Sequence, residues 1–220
     1  MKQVLLVLIG VIISISGNAQ EVTFHGKIEG IDSAQISVLV LPLKLGESPI
    51  CDSIQCIHGE FDCIIELKLN MWHIVKLISS AFNSVFGEEK SSTQKLKNRE
   101  IVFFIQPKDK IFISAKIGEY GLNYKISGNE ISNQRNEFEE KLYLFEEDYN
   151  RLTILSDKSQ IENTKTKELT DKLNLINDKI SQIELATIVQ HPDWICSAER
   201  LAVFPTDTIS KYFKTFTADV

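Results

Sequence analysis

Short β-rich runs separated by turn residues fill the chain from residue 22 to residue 127. Several runs alternate apolar and polar residues, so one face of each strand is expected to be buried. This spacing is typical of an antiparallel β-sandwich or a barrel. The pattern predicts about seven or eight strands, over residues 22–28, 34–41, 50–57, 60–67, 72–79, 100–106, 111–115 and 123–126.

A turn at His58-Gly59 predicts a two-residue hairpin within this region. The predicted register pairs residues equidistant from the turn, namely Ile57 with Glu60, Cys56 with Phe61 and Ile54 with Cys63. Cys56 and Cys63 are then diagonal neighbours about 7–8 Å apart, which is too far for an undistorted disulfide. We therefore expect two buried thiols that act as small hydrophobic side chains.

Residues 80–98 lack hydrophobic periodicity and predict a long connection inside the β region. Unstructured loops of this length are either functional or disordered. The segment contains no catalytic pair, so we expect it to be disordered.

After Gly128-Asn129 the apolar period changes from two to three and four, which predicts helices. Two apolar stripes follow, the first formed by Ile131, Phe138, Leu142, Phe145, Tyr149 and Leu152, and the second by Leu169, Leu173, Ile176, Ile180 and Ile183. With a polar link over 156–166, they predict an antiparallel helical hairpin. The dense charges between the apolar positions, such as Glu139 and Glu146, are interpreted as a solvated face.

Beyond the hairpin, His191-Pro192-Asp193 predicts a turn, because a residue that precedes proline disfavours helical geometry. A short helix over 197–204 and an amphipathic segment with Ile209, Tyr212, Phe213 and Phe216 on one side should follow. The fold class is therefore α+β. The expected divisions are a signal peptide (1–20), a β-sandwich (21–128), a helical hairpin (129–190) and a short helical segment (191–220).

The N-terminus has the organisation of a secretory signal peptide. An apolar run over 4–15 precedes the small residues Gly17 and Ala19, with cleavage expected after Ala19 or Gln20. Twelve residues span only about 18 Å of helix, too little to cross a bilayer. Because no cysteine stands at the cleavage point, no lipid anchor is expected. The mature chain is predicted to be periplasmic or secreted, without a transmembrane segment.

Charge and motif content exclude several classes of function. With 24 Lys and Arg against 30 Asp and Glu, the net charge of -6 disfavours nucleic-acid binding. The four histidines show no metal-ligand spacing, and His58-x-Glu60 lacks further ligands. The sequence nominates no catalytic residue, no cofactor site and no metal site. In an oxidising compartment Cys51 either pairs with Cys196 or remains free, and the residues leave both outcomes open.

An ordered set of short motifs runs through nearly the whole mature chain. Its members are Phe24-x-Gly26-x-Ile28-x-Gly30, Asp52-Ser53-Ile54, Gly59-x-Phe61, Phe104-Ile105-x-Pro107, Ile111-x-Ile113, Gly128-Asn129, His191-Pro192-Asp193 and Ser197-Ala198. With these motifs the chain resembles the N-terminal region of exported bacterial thiol:disulfide oxidoreductases related to TlpA. In that family a β-rich domain of unknown function and a helical linker precede a thioredoxin-like domain of the peroxidase and thiol-specific-antioxidant type.

The resemblance carries over no catalytic residue, because none of the four cysteines matches the family's C-x-x-C pair, and Trp194, Cys196 and Cys51 are unusual at their positions. The chain is expected to end where the thioredoxin-like domain would begin. We therefore expect a non-enzymatic, exported docking module whose partner is an envelope protein or the missing domain. The alternatives are the truncated front portion of a periplasmic oxidoreductase and a small-ligand-binding envelope protein. Partner, ligand and oligomeric state stay undetermined.

Overall fold

The computed structural model describes residues 20–44, 46–68, 70–82, 96–97, 99–161 and 166–216, with backbone alone for 157–161, 166 and 213–216. Eight strands form one mixed sheet and four α-helices follow, so the fold is α+β. The strands are β1 Gln20–Glu29, β2 Ser33–Pro42, β3 Ile50–Ile57, β4 Glu60–Leu67, β5 His73–Ile78, β6 Ile101–Ile105, β7 Lys110–Ile117 and β8 Leu122–Ser127. The helices are α1 Glu130–Ile161, α2 Thr166–Gln190, α3 Ile195–Leu201 and α4 Thr206–Phe216.

The strand order is β6-β5-β2-β3-β4-β1-β7-β8, and every neighbouring pair is antiparallel except β1 with β7. The sheet curls until its two end strands approach each other. The Tyr124 hydroxyl on β8 donates to the Val102 carbonyl of β6 at 3.5 Å and accepts from the Val102 N–H at 3.3 Å. The rings of Phe24 and Phe103 meet edge to face at 5.2 Å between β1 and β6. The result is a nearly barrel-like sheet around one core.

Alternation within the strands decides which side chains enter this core. In β4, for example, Phe61, Cys63 and Ile65 are buried while Asp62 and Ile64 between them are exposed. Cys56 is fully buried as well, so the prediction of two buried thiols is confirmed.

The predicted hairpin is correct at its turn and wrong beyond it. His58 and Gly59 have φ of +53° and +76°, and Ile57 pairs with Glu60. The further predicted pairs, Cys56 with Phe61 and Ile54 with Cys63, are not formed. Instead Cys56 pairs with Ala34 on β2, and Cys63 pairs with Phe24 on β1. The strands diverge because each gains a long antiparallel partner elsewhere in the sheet.

The change from sheet to helix is fixed by Gly128 and Asn129. Gly128 has φ of +125°, and a Cβ there would lie 2.0 Å from the Lys110 carbonyl oxygen, so only glycine fits. Asn129 caps α1, because its Oδ1 accepts a hydrogen bond from the Ser132 N–H at 2.9 Å. Its Nδ2 donates to the Phe104 carbonyl at 2.9 Å and so joins the helix start to β6.

Two local expectations need correction. Helix α1 continues to Ile161 through most of the predicted polar link, because residues 156–161 contain no glycine or proline that would end it. Residues Ser80–Phe82 of the predicted disordered loop form a short 3-10 turn, and Phe82 is buried in the core. Most of that loop, residues 83–95, lies outside the described residues, as does the signal peptide up to residue 19.

A second core joins the helices to the outer side of β6. This second core consists of Phe104, Ile131, Phe138, Ile188, Cys196 and Leu201. Among the described strands, β6 is buried at every position, since Phe103 faces the first core and Phe104 faces the second. Ile209 and Tyr212 of α4 are partly buried against the second core. Within the described ranges, no helix is both long and apolar enough to span a bilayer.

Candidate functional site: a buried ionic cluster between the helices

Six charged side chains meet inside the helical layer, and we call them the ionic cluster. They are Arg135, Glu139 and Glu146 of α1, Glu184 of α2, and Glu199 and Arg200 of α3. The interpretation of Glu139 and Glu146 as part of a solvated face was wrong, since each is only 6% exposed. It holds for Glu140 and Asp148, which are exposed. The difference arises because α2 and α3 pack on α1 and cover one side of its polar surface.

Helical spacing explains why the α1 members share one face. Arg135 and Glu139 are four residues apart, and Glu146 lies seven residues further on, so all three project in nearly the same direction. The Arg135 Nη2 donates to Glu139 Oε1 at 2.9 Å along the helix. The sequence contained a sign that Arg135 is buried. Arg135 lies on the apolar stripe of α1, in the gap of seven residues between Ile131 and Phe138.

Helix α3 supplies the partners that complete the ionic cluster. Arg200 donates from Nη2 to Glu139 Oε1 at 2.7 Å and from Nη1 to Glu184 Oε1 at 3.0 Å. Glu199 Oε2 accepts from Arg135 Nη1 at 3.1 Å. These hydrogen bonds connect α3 to both long helices, and charge assistance makes them stronger than neutral hydrogen bonds.

The ion pairs matter because α3 has little intrinsic stability. It contains seven residues, and its N-cap Trp194 makes no side-chain capping bond. Isolated helices of this length do not form in water. Packing of Cys196 and Leu201 in the second core and the ion pairs of Glu199 and Arg200 therefore hold α3 in place.

Glu146 is the member without a complete set of partners. Its Oε2 is buried and has no hydrogen-bond partner. Burial raises the pKa of Glu146 to about 7, and the neighbouring charge of Glu139 acts in the same direction. Burial also raises the pKa of Glu184. With a pKa of about 7, the carboxyl group of Glu146 changes its protonation state around neutral pH.

A buried asparagine places a further cation near this carboxyl group. The Asn150 Oδ1 accepts from the Lys97 N–H, and its Nδ2 donates to the Lys97 carbonyl, both at 2.7 Å. The same Nδ2 donates to the Tyr120 carbonyl at 2.7 Å. The Lys97 ammonium lies 5.1 Å from the centre of the Tyr149 ring, and its charge favours ionisation of Glu146.

The cysteines are all free thiols, and the Cys51–Cys196 disulfide is not formed in the structure. Cys51 is exposed on β3, whereas Cys196 is fully buried with its Sγ 3.8 Å from the Ile131 carbonyl oxygen. Burial raises the pKa of Cys196 to about 12 and that of Cys63 to about 11. Buried thiols of this kind are poor nucleophiles at neutral pH.

The four histidines have separate local partners. His25 and His58 contact Asp62 and Asp32 at 2.8 and 3.0 Å on the surface. His73 bonds the Met71 carbonyl at 3.0 Å, and His191 stacks on Trp194 at 3.8 Å. Over the described part of the chain, no three His, Cys, Asp or Glu side chains come close enough to hold a metal ion.

A cleft of about 440 Å³ opens at one end of the sheet, away from the ionic cluster. Pro42, Pro49 and Ile50 form its apolar wall, and Lys68 and His73 are among its polar residues. A small-ligand-binding function would use a cleft of this kind, and the sequence patterns did not single it out.

Comparisons with known proteins identify no family. No family model matches the chain, and no curated protein sequence matches it either. An (S)-allantoin synthase structure has a TM-score of 0.34 at 7% identity, covering 55% of this chain and 48% of the synthase chain. The CBM25-1 module of a β/α-amylase from Paenibacillus polymyxa has a TM-score of 0.31 at 12% identity, covering 52% of this chain and 97% of the module.

The type VI secretion lipoprotein TssJ1 from Pseudomonas aeruginosa also has a TM-score of 0.31, at 7% identity, covering 51% of this chain and 99% of its own. The match covers about half of the allantoin synthase chain. In all three comparisons, about half of the present chain is matched. All three TM-scores are too low to support a functional argument.

Proposed function

We propose that the chain is a non-catalytic docking and positioning module of the cell envelope, with a sandwich-like β domain and an antiparallel helical hairpin. The observation that carries the proposal is the attachment of α3 by Glu199 and Arg200 to both long helices. A short helix fixed in this way gives α4, the next element, a defined place on the body. A partner or domain that contacts α4 is then held in one orientation.

The resemblance to the N-terminal region of TlpA-related oxidoreductases supports this role, because the residues that form the shared motifs stabilise turns and helix ends in this chain. Gly59 forms the hairpin turn, and Gly128-Asn129 forms the cap of α1. His191-Pro192-Asp193 separates α2 from α3. A family defined by such positions shares a scaffold. The partner we propose is accordingly a thioredoxin-like domain of an envelope oxidoreductase, and export would follow from the signal peptide over 1–20.

An exposed apolar residue next to α4 provides a test of docking. Val203 is 76% exposed between α3 and α4, whereas Leu175 on α2 is 68% exposed. Leu175 lies fifteen residues before the end of α2, about 22 Å along the helix. The full chain is titrated with a purified thioredoxin-like domain that contains a C-x-x-C pair, and binding is measured by calorimetry.

We expect Val203→Asp to weaken binding about tenfold or more and Leu175→Asp, the matched control, to leave it unchanged. Both substitutions replace an exposed aliphatic side chain with aspartate, so the main difference between them is position. Absence of binding by the unmodified chain would contradict the docking role. Turnover of a disulfide substrate such as insulin by the chain alone would contradict the non-catalytic assignment.

The second candidate is the front portion of a thioredoxin-like oxidoreductase, which the same motifs favour. It differs in one measurable property, the intact mass of the protein in its native envelope. A mass of about 23 kDa, which follows from removal of the signal segment, supports the separate module. A mass larger by a whole domain supports the oxidoreductase.

A further inference from the structure

We propose that the cleft at the end of the sheet binds a small zwitterion, a free α-amino acid with an aliphatic side chain. Lys68 binds the carboxylate of this ligand, Glu47 and His73 accept hydrogen bonds from its ammonium group, and the apolar wall contacts its side chain. This inference goes beyond the docking function and does not rest on it, because no residue that lines the cleft belongs to α3 or α4.

The cleft lies where two strands leave the sheet open. β3 and β4 pair through Ile57 and Glu60, next to the hairpin turn. Ile50 begins β3 and Lys68 follows the end of β4, so both lie at the far ends of these strands, where the described residues form no further β3–β4 pairs. The volume of about 440 Å³ is within the range of small-molecule sites, roughly 300–1,000 Å³.

His73 is a buried polar side chain that faces this space. Val40 and Val75 pair between β2 and β5 and are buried in the first core. Pro42 and His73 pair two residues further along. Side chains two residues apart in a strand point to the same side, so His73 points toward the inside of the curled sheet at its open end. It is only 4% exposed, and it lines the cleft.

The hydrogen bond of His73 decides what its ring offers to a ligand. Its Nδ1 lies 3.0 Å from the Met71 carbonyl oxygen, which can only accept, so Nδ1 carries the proton. Burial lowers the pKa of His73, which keeps the ring neutral around neutral pH. Its Nε2 then has a free lone pair, and none of the described residues donates to it. An ammonium group in the cleft supplies the missing donor.

Two side chains of opposite charge line the same cleft. Lys68 has neither an ion-pair nor a hydrogen-bond partner in the part of the chain that the structure describes. Glu47 pairs with Lys44 at 3.6 Å, and both side chains are exposed. An unpaired ammonium group and a weakly paired carboxylate complement the two charges of a zwitterion, and hydrogen bonds between charged groups are the strong ones. A ligand with a single charge would use one of the two side chains.

The apolar wall favours a ligand with an aliphatic side chain. Pro42 and Pro49 have backbone φ angles fixed by their rings, so this part of the wall is ordered before a ligand arrives. Ile50 is partly buried and packs against the first core. An aliphatic group placed against these residues is removed from water, which favours binding.

Calorimetric titration of the full chain with L-leucine at neutral pH tests the proposal. Three further titrants each lack one group of leucine: isocaproate lacks the ammonium group, isoamylamine lacks the carboxylate, and glycine lacks the side chain. We expect each of them to bind about tenfold more weakly than leucine, or weaker still. Absence of leucine binding, or equal binding of leucine and any of the three, would overturn the proposal.

Substitutions in the chain locate the site. Lys68 and Glu47 are exposed, so Lys68→Met and Glu47→Gln should leave the fold intact. We expect each to weaken leucine binding about tenfold or more. Lys27→Met is the matched control, because Lys27 is an exposed lysine that pairs with Glu60 beside the hairpin turn, at the other end of β4. It should bind leucine like the unmodified chain. Unchanged binding by Lys68→Met would place leucine elsewhere and would overturn the proposal.

Discussion

At the scale of single residues, Glu146 makes the stability of the fold depend on pH. Its pKa is raised to about 7 in the folded chain, against 4.5 for the ordinary group. The folded state therefore binds the proton more tightly than the unfolded state between these pH values. This contribution is fully present below the unfolded pKa and is lost as pH rises through 7.

We predict that Glu146→Gln removes this pH dependence. At pH 8 the variant should be more stable than the unmodified chain, by roughly 1–3 kcal/mol in the free energy of unfolding. Near pH 5 most of that difference should disappear. Urea denaturation of both chains at pH 5, 6.5 and 8 measures the effect. Equal pH slopes for the two chains would contradict the assignment of the raised pKa to Glu146.

The sequence predicted some residue-level features well, and it did so where the cause is local. Gly128-Asn129 was identified as the transition from the change in apolar period, and the positive φ and helix cap found there depend on only one or two residues. The burial of Glu139 and Glu146 was missed. Their surroundings are created by α2 and α3, which lie far along the chain, and no local pattern contains that information.

At the scale of elements, the attachment of α3 depends on Arg200, whose side chain is 16% exposed and bonds carboxylates on two helices. We predict that Arg200→Met destabilises this attachment by about 3–5 kcal/mol, because it leaves the buried carboxylate of Glu184 without its guanidinium and leaves Glu139 with Arg135 alone. Hydrogen exchange should accelerate in α3 and α4 and stay slow in the sheet. Exchange that accelerates equally in all elements would show that α3 is not a separate unit.

The matched control is Arg151→Met on α1. Arg151 also bonds a carboxylate, Asp148 at 2.7 Å, but the two side chains are 48% and 52% exposed. Solvent screening and side-chain entropy make such surface pairs worth less than about 1 kcal/mol. Exchange in α3 should therefore be unchanged in this variant.

The positions of the strands and helices follow the sequence periodicity closely. Which strands pair with each other does not follow from it. All eight predicted strands are present, and the turn at 191–193 separates two helices as expected. The pairing of β3 with β2 and of β4 with β1 was not predicted from the hairpin. Alternation tells which face of a strand is buried, but several strands with the same alternation are equally suitable neighbours.

At the scale of the whole molecule, the curled sheet is joined at its ends by one buried hydroxyl group, that of Tyr124. We predict that Tyr124→Phe lowers the free energy of unfolding by about 1–2 kcal/mol, because the polar atoms of Val102 lose their partner. Thermal unfolding followed by circular dichroism measures this change. Tyr120→Phe, which keeps the sheet contact intact, should leave the free energy of unfolding nearly unchanged.

The sequence by itself determined the α+β class, the strand and helix positions, the buried thiols of Cys56 and Cys63, and the turns. Each of these depends on hydrophobic period or on the backbone preference of a few adjacent residues. Only the tertiary structure decided the strand order, the second core on β6 and the ionic cluster around Glu146. These features require residues distant in sequence to meet, and burial between packed elements changes what a charged side chain does.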